Sequence, residues 1–313
     1  MSSDDAFLAA SATAPIQLHR PSCHTASSTM RRPMDAAQPW RAEYRALEAS
    51  LYDGTAGVGL FLARLAVVTG DAAAHRTAVG AMRHAVARAQ AMPPGRRRRH
   101  HLCGLSHGAA GIGWALVELF DRTGDERFRV GATAAFAYER SWLDALSGTW
   151  PDLRIGGQRR GAARRAASPA LGTWCHGEGG IALTRLRAID VPGMEACGDD
   201  AGVALEATRR DLAGALPYEI GDLTLCHGAA GAADVLLCGA ATLGERSRDA
   251  AKLAPQLGHL ALERYGATGD RWPCDAAGGT TPALFRGISG IGWWFLRLHD
   301  REIPSPLTMP FHG

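Results

Sequence analysis

Five copies of a Gly-x-x-Gly motif, each preceded by a polar residue, constrain this chain more than any other feature. The copies are Asp53-Gly54-Thr55-Ala56-Gly57, His107-Gly108-Ala109-Ala110-Gly111, His176-Gly177-Glu178-Gly179-Gly180, His227-Gly228-Ala229-Ala230-Gly231 and Arg286-Gly287-Ile288-Ser289-Gly290. They lie 54, 69, 51 and 59 residues apart. Each interval has room for two helices and their loops, and periodicity on this scale is typical of repeat architectures.

The segments between the motifs predict pairs of helices. An apolar segment follows each motif, as in residues 58–65 and 112–120, and such segments are expected to be buried on most sides. More polar, amphipathic stretches follow at about 72–92, 125–146, 195–214 and 246–265. No convincing run of the alternation that is typical of strands is present. The sequence therefore predicts an all-α fold, an α/α toroid in which inner and outer helices alternate in a double ring, with the glycines allowing close backbone approach where inner helices converge.

Composition sets the class of protein and its compartment. A chain of 313 residues with 46% hydrophobic content can bury one large core or two ordinary ones. Its net charge of +3 is too small to favour a nucleic-acid partner. The seven cysteines are an odd number, which favours free thiols over a disulfide scaffold. Free thiols indicate a reducing compartment, the cytoplasm. No apolar run reaches the ~20 residues of a membrane span. Residues 1–36 are predicted to be a flexible N-terminal segment, and residues 37–313 the toroid domain.

The polar residues of the motifs predict a metal site. If the five motifs converge, Asp53, His107, Cys175-His176, Cys226-His227 and Arg286 line one axis. Thiol and imidazole ligands suit Zn²⁺. Cys175, Cys226 and His227 form a Cys₂His set with an open fourth position, which is typical of catalytic rather than structural zinc.

Two assignments around this site have alternatives. His176 is an alternative nitrogen ligand to His227, and we prefer His227. His107, which has no adjacent cysteine, is the candidate for proton transfer, with Asp53 orienting it or tuning its pKa. The competing interpretation of Asp53 is a helix cap.

The ordered set of motifs resembles the lanthionine synthetase C-like (LanC-like) cyclases, and most of all the cyclase domain of fused class II lanthipeptide synthetases. The resemblance covers residues 48–308 and includes Trp174-Cys175-His176-Gly177, Leu225-Cys226-His227-Gly228 and the closing segment Ile303 to Leu307. It implies seven inner and seven outer helices, one zinc held by Cys175, Cys226 and His227, and acid/base roles for His107 and Asp53. Only five motifs are present, so the ring is either incomplete at its N-terminus or completed by residues 37–50 or by a partner.

The implied activity is formation of lanthionine and methyllanthionine thioether rings. A Cys thiol of a ribosomally made precursor peptide adds to a dehydroalanine or dehydrobutyrine made earlier by a separate dehydratase or kinase/lyase protein. Arg286 departs from the expected pattern and, like His176, is a candidate for facing the substrate. The alternatives are an enzyme that adds glutathione to dehydrated proteins and a non-catalytic peptide-binding scaffold.

Overall fold

The computed structural model describes residues 27–31, 42–46, 55–90, 102–106, 108–153, 173–216, 218, 220–266, 272–274 and 281–308. They belong to two compact units. The first comprises Met1–Arg97, Ile220–Ala230 and Pro255–Gly313, and the second comprises Arg98–Glu219 and Gly231–Ala254.

Within these residues the chain is helical except for one pair of strands. The strands are β1 (Ser27–Arg31) and β2 (Ala42–Ala46). The helices are α1 (Thr55–Thr69), α2 (Ala72–Gln90), α3 (Ala109–Thr123), α4 (Glu126–Arg140), α5 (Glu178–Ile189), α6 (Cys197–Ala215), α7 (Ala229–Leu243), α8 (Glu245–Ala251), α9 (Leu253–Ala261) and α10 (Ile288–His299), with a π-helical turn at Leu262–Gly266 and a 3₁₀ turn at Pro306–Thr308.

Consecutive helices pack as pairs, as the sequence predicts. Helix α1 contacts α2, α3 contacts α4, and α5 contacts α6. The segment 112–120 of α3, which the sequence predicted to be buried on most sides, is only partly buried, with Ile112 50% exposed. Two other helices that follow motifs are buried along almost their whole length: α10 from Ile288 to Leu298, and α5 with only Arg187 and Ile189 partly exposed. Burial on all sides is expected of helices that line the inside of a helical repeat.

Inner helices also contact one another within each unit. In the second unit α3 packs against α5, and in the first α10 packs against α1. The helices that open at the first and last Gly-x-x-Gly motifs are therefore neighbours. A core cluster in the second unit joins α3, α4 and the end of α5 through Val117, Phe136 and Ala188.

One predicted outer helix is broken. The sequence pattern predicted a continuous helix over about 246–265, but α8 ends at Ala251 and α9 begins at Leu253. Pro255 explains the break, because its ring has no N–H to donate and would clash with the carbonyl of Ala251 in a continuous helix.

The strand pair lies where no regular structure was expected. β1 and β2 are antiparallel, with Thr29 opposite Tyr44, and both residue types favour strands. β1 falls within the segment predicted to be flexible, and β2 shows that the described part of 37–50 is a strand rather than a further inner helix. Among the residues described, no helix is both long enough and apolar enough to cross a bilayer.

Candidate metal centre

A shared backbone turn precedes the inner helices. In three motifs the N–H of the first helical residue donates to the carbonyl oxygen seven residues earlier. These bonds join Ala109 to Leu102 (2.7 Å), Ala229 to Asp222 (2.9 Å) and Ile288 to Thr281 (2.9 Å). The sequence repeat is thus also a structural repeat, in which the polar motif residue is presented directly before a helix N-terminus.

The second glycine of three motifs is required by close contact within this turn. A Cβ atom on it would overlap the carbonyl oxygen six residues earlier. The pairs are Gly111 with Leu105, Gly180 with Trp174, and Gly290 with Leu284. The glycines therefore permit close backbone approach as predicted, although the nearest backbone is that of their own preceding loop.

The first Cys-His turn lies immediately before α5. The N–H of Gly177 donates to the carbonyl of Thr173 at 2.9 Å, and Gly177 itself is extended before the helix begins. The carbonyl oxygen of Cys175 accepts a 3.0 Å hydrogen bond from the N–H of Ser106. The side chains of Cys175 and His176 are both buried.

The second Cys-His turn has the same form before α7. Gly228 N–H donates to the carbonyl of Thr224 at 3.1 Å, and Cys226 N–H donates to the carbonyl of Phe285 at 2.9 Å. The Asp222 carboxylate accepts a 2.6 Å bond from the N–H of Thr224, which fixes the start of the turn. Cys226 is fully buried and His227 is partly exposed.

Cys175, Cys226 and His227 are brought together. Their ligand atoms, two Sγ and one imidazole nitrogen, all lie within 4.8 Å of one another. Bond lengths of ~2.3 Å to sulfur at a tetrahedral angle place ligand atoms roughly 3.8 Å apart, so small side-chain adjustments fit these three around one Zn²⁺. In the part of the chain that the structure describes, they form the one such His/Cys/Asp/Glu group, and His176 is not a member.

The roles of the remaining predicted site residues are not tested by the structure. Arg286 is partly buried in the turn before α10, and its role, like that of His176, stays a prediction. Asp53 and His107 lie outside the described residues, although both neighbours of His107 are described.

A buried charge pair, which the sequence did not predict, lies next to the loop that contacts the first Cys-His turn. Glu139 Oε2 is 3.0 Å from Arg185 Nη2, and both side chains are fully buried. Burial raises the pKa of Glu139 above its ordinary value, while the Arg185 guanidinium and the Gly104 N–H oppose that rise. The signal available in the sequence was Arg185 itself, one of two arginines in the mostly apolar stretch that follows the third motif.

A buried thiol lies close to this pair. Burial raises the pKa of Cys103 to about 12, and the negative charge of Glu139 adds to the rise. Cys103 is therefore a neutral thiol at physiological pH, a form that is neither a nucleophile nor a metal ligand.

These turns and the Cys₂His donor set define a helical-repeat protein with a thiol-rich group able to hold a metal. Residues 88–311 match the family described as lanthionine synthetase C-like protein. The match covers more than half of the chain, so the protein belongs to the lanthionine synthetase C-like family. Membership confirms the resemblance drawn from the motifs, and the paired helices of the described residues confirm the predicted helical fold class.

Similarity to individual proteins is lower. The solved structure of nisin cyclase matches with a TM-score of 0.45 and 18% sequence identity, covering 67% of this chain and 50% of that chain. The chain thus spans half the length of nisin cyclase. No curated protein matches the sequence.

Proposed function

We propose that this protein is a zinc-dependent lanthipeptide cyclase. The observation that carries the proposal is the approach of two thiols and one imidazole, from Cys175, Cys226 and His227, to within 4.8 Å in a lanthionine synthetase C-like chain. Three protein ligands leave a fourth tetrahedral position for a substrate atom.

The three ligand side chains would hold Zn²⁺, with His227 as the nitrogen ligand in preference to His176. When bound, the ion lowers the pKa of a coordinated thiol so that it ionises near neutral pH. The burial of both cysteines excludes water from the ligand sulfurs, and their turns are already fixed by backbone hydrogen bonds.

The reaction adds a peptide Cys S–H across the carbon–carbon double bond of a dehydroalanine or dehydrobutyrine. The thiol releases its proton to solvent, its sulfur forms a bond to the β-carbon, the π electrons move to the α-carbon and carbonyl, and the α-carbon then takes a proton that solvent restores to the donor. His107 as an imidazolium is the proposed proton donor, with Asp53 orienting it. No atoms are gained or lost, so a lanthionine or methyllanthionine ring forms without a change in mass.

The substrate is a dehydrated precursor peptide, and a separate dehydratase or kinase/lyase protein supplies it. His176 and Arg286 are proposed to face this peptide. The odd cysteine count and the absence of disulfides among the described cysteines fit a cytoplasmic location.

Ring formation tests the proposal directly. The purified protein is analysed for zinc and incubated with a dehydrated Cys-containing peptide, and free thiols are then alkylated. The expected result is about one zinc per chain and loss of alkylatable thiol without a mass change. Cys175→Ala is expected to lose zinc and ring formation, whereas Cys197→Ala, a half-buried cysteine outside the donor group, serves as the matched control.

Two results would contradict the proposal. A mass gain that requires added glutathione would make the protein a glutathione-adding enzyme instead. Ring formation at the uncatalysed rate in both the parent and Cys175→Ala would indicate a peptide-binding scaffold.

A further inference from the structure

Glu139, near the end of α4, holds the loop that leads to His107. Its Oε1 accepts a 2.7 Å hydrogen bond from the N–H of Gly104. Its other oxygen is the one paired with Arg185. The Trp150 indole also donates to the Glu139 carbonyl at 2.9 Å, so both the backbone and the side chain of Glu139 are fixed.

The loop held by Glu139 lies directly against the first Cys-His turn. Gly104 has a φ of +94°, and a Cβ atom there would come within 2.6 Å of the His176 Cα. Two residues further on, the N–H of Ser106 donates to the Cys175 carbonyl. The next residue in the sequence is His107.

Arg185 is itself immobilised. Its guanidinium carbon lies 3.9 Å from the centroid of the Phe136 ring. Its Nε is 3.7 Å from Asp200 Oδ2, and Asp200 is paired in turn with Arg140 at 2.6 Å. The charges on α4, α5 and α6 thus fix the direction in which the Glu139 carboxylate points.

A contribution to the stability of the fold does not by itself explain the buried Glu139–Arg185 ion pair. Replacing both members of a buried ion pair by apolar residues of similar volume is often neutral or stabilising. What an apolar pair cannot supply is an acceptor for the Gly104 N–H at the point where the loop meets the Cys175 turn.

We infer that Glu139, oriented by Arg185, is a positioning residue that fixes the loop before His107, the proposed proton donor, against the turn that carries Cys175. The inference rests on the proposed cyclase function for its kinetic consequence, but not for its structural one.

Two double variants separate the hydrogen bond from the charge. Glu139→Gln with Arg185→Met removes both charges and keeps an amide oxygen for Gly104, while Glu139→Leu with Arg185→Met removes the acceptor as well. The matched control is Glu118→Gln with Arg187→Met, because Glu118 and Arg187 form a 2.7 Å ion pair joining α3 and α5 away from this loop.

Amide hydrogen exchange and kinetics are measured on all three. We expect the Leu/Met variant to exchange residues 102–106 at least about tenfold faster than the control. We also expect it to lose about 100-fold in kcat with zinc content and KM little changed, as for a displaced catalytic group. The Gln/Met variant is expected to stay within a few-fold of the control in both measurements.

The exchange readout keeps this inference distinct from the proposed function. If the parent forms no rings, the cyclase proposal fails, and exchange at residues 102–106 still decides whether Glu139 fixes the loop. Equal exchange in the Leu/Met variant and the control would overturn the inference, as would equal kcat losses in the Leu/Met and Gln/Met variants.

Gly104→Ala covers the case in which the Leu/Met variant does not fold. The added Cβ displaces the same loop from the His176 backbone without altering any charge. We expect the same loss in kcat with zinc retained, and an unchanged kcat would overturn the inference.

Discussion

The backbone N–H of Cys226 donates a 2.9 Å hydrogen bond to the carbonyl oxygen of Phe285. This bond joins the turn of the fourth motif to that of the fifth, and the Leu225 side chain lies close against Gly290 in the same region. Arg286 follows Phe285 directly, so the backbone that carries its guanidinium is fixed to the turn that carries a thiol ligand.

This relationship predicts that Arg286→Gln weakens substrate binding while zinc is retained. A charge-assisted hydrogen bond contributes about 1.5–3 kcal/mol, so KM is expected to rise roughly 10- to 100-fold if Arg286 binds a peptide carboxylate. Arg286→Lys keeps the charge but loses the two-pronged geometry, and an intermediate KM is expected. Steady-state kinetics with parallel zinc analysis checks this, and loss of zinc from Arg286→Gln would instead give Arg286 a role in holding the ligands.

His107→Ala is predicted to retain zinc and to slow ring formation. Removing a general acid typically costs about 10²- to 10⁴-fold in rate, and His107 is not among the expected ligands. Zinc content and single-turnover ring closure are measured together. Loss of the metal would move His107 into the ligand set, and an unchanged rate would remove it from proton transfer.

Gly180→Ala is predicted to destabilise the fold. Its Cβ would overlap the Trp174 carbonyl oxygen and come within 2.8 Å of the Leu105 Cβ, and overpacking of this kind costs about 1–3 kcal/mol. Gly202→Ala in α6 is the control, because nothing lies within 4 Å of its added Cβ, and it is expected to stabilise the helix by about 0.5–1 kcal/mol. Urea unfolding of both variants measures the difference, and equal midpoints would contradict the contact.

The raised pKa of the buried Cys103 thiol predicts a loss of stability at alkaline pH. Its pKa is raised to about 12 in the folded protein, against roughly 8.5 in an unfolded chain. The contribution of the Cys103 thiol to the free energy of unfolding is complete below about pH 8.5. Above that pH the unfolded chain releases the thiol proton, whereas the folded state keeps it. The free energy of unfolding then falls by up to about 1.4 kcal/mol per pH unit.

Urea unfolding of Cys103→Ala at pH 8 and pH 10 tests this. The variant is expected to lose less stability between the two pH values than the parent does, while Cys238→Ala is expected to follow the parent. The same slope in Cys103→Ala and the parent would assign the alkaline effect to other groups.

The sequence predicted those features that depend on local pattern. The Gly-x-x-Gly motifs located the starts of the inner helices, as at Ala109, Ala229 and Ile288. The turn between α3 and α4 lies between the predicted segments 112–120 and 125–146, and its Gly124 is left-handed at φ +66°. The thiol and imidazole ligand types were readable because few other side chains share their chemistry.

Features that depend on long-range packing could not be predicted from the sequence. The pairing of Glu139 with Arg185 joins residues on two helices with a motif between them, and neither residue type indicates its partner. Without structural distances, the ligand chemistry also left His176 and His227 as alternatives. The β1–β2 pair was missed because β1 carries no alternating apolar pattern and the alternation in β2 extends over five residues only.

Each ligand turn is closed by backbone hydrogen bonds that involve no metal: Gly177 to Thr173 and Ser106 to Cys175 on one side, Gly228 to Thr224 and Cys226 to Phe285 on the other. The loss of conformational entropy when these turns become ordered is therefore offset by interactions that form as the chain folds, and not by ion binding. In zinc fingers the same entropy is offset by the metal, and chelation unfolds them. Here a chelator should yield a folded, preorganised apo-protein that takes up zinc again without refolding.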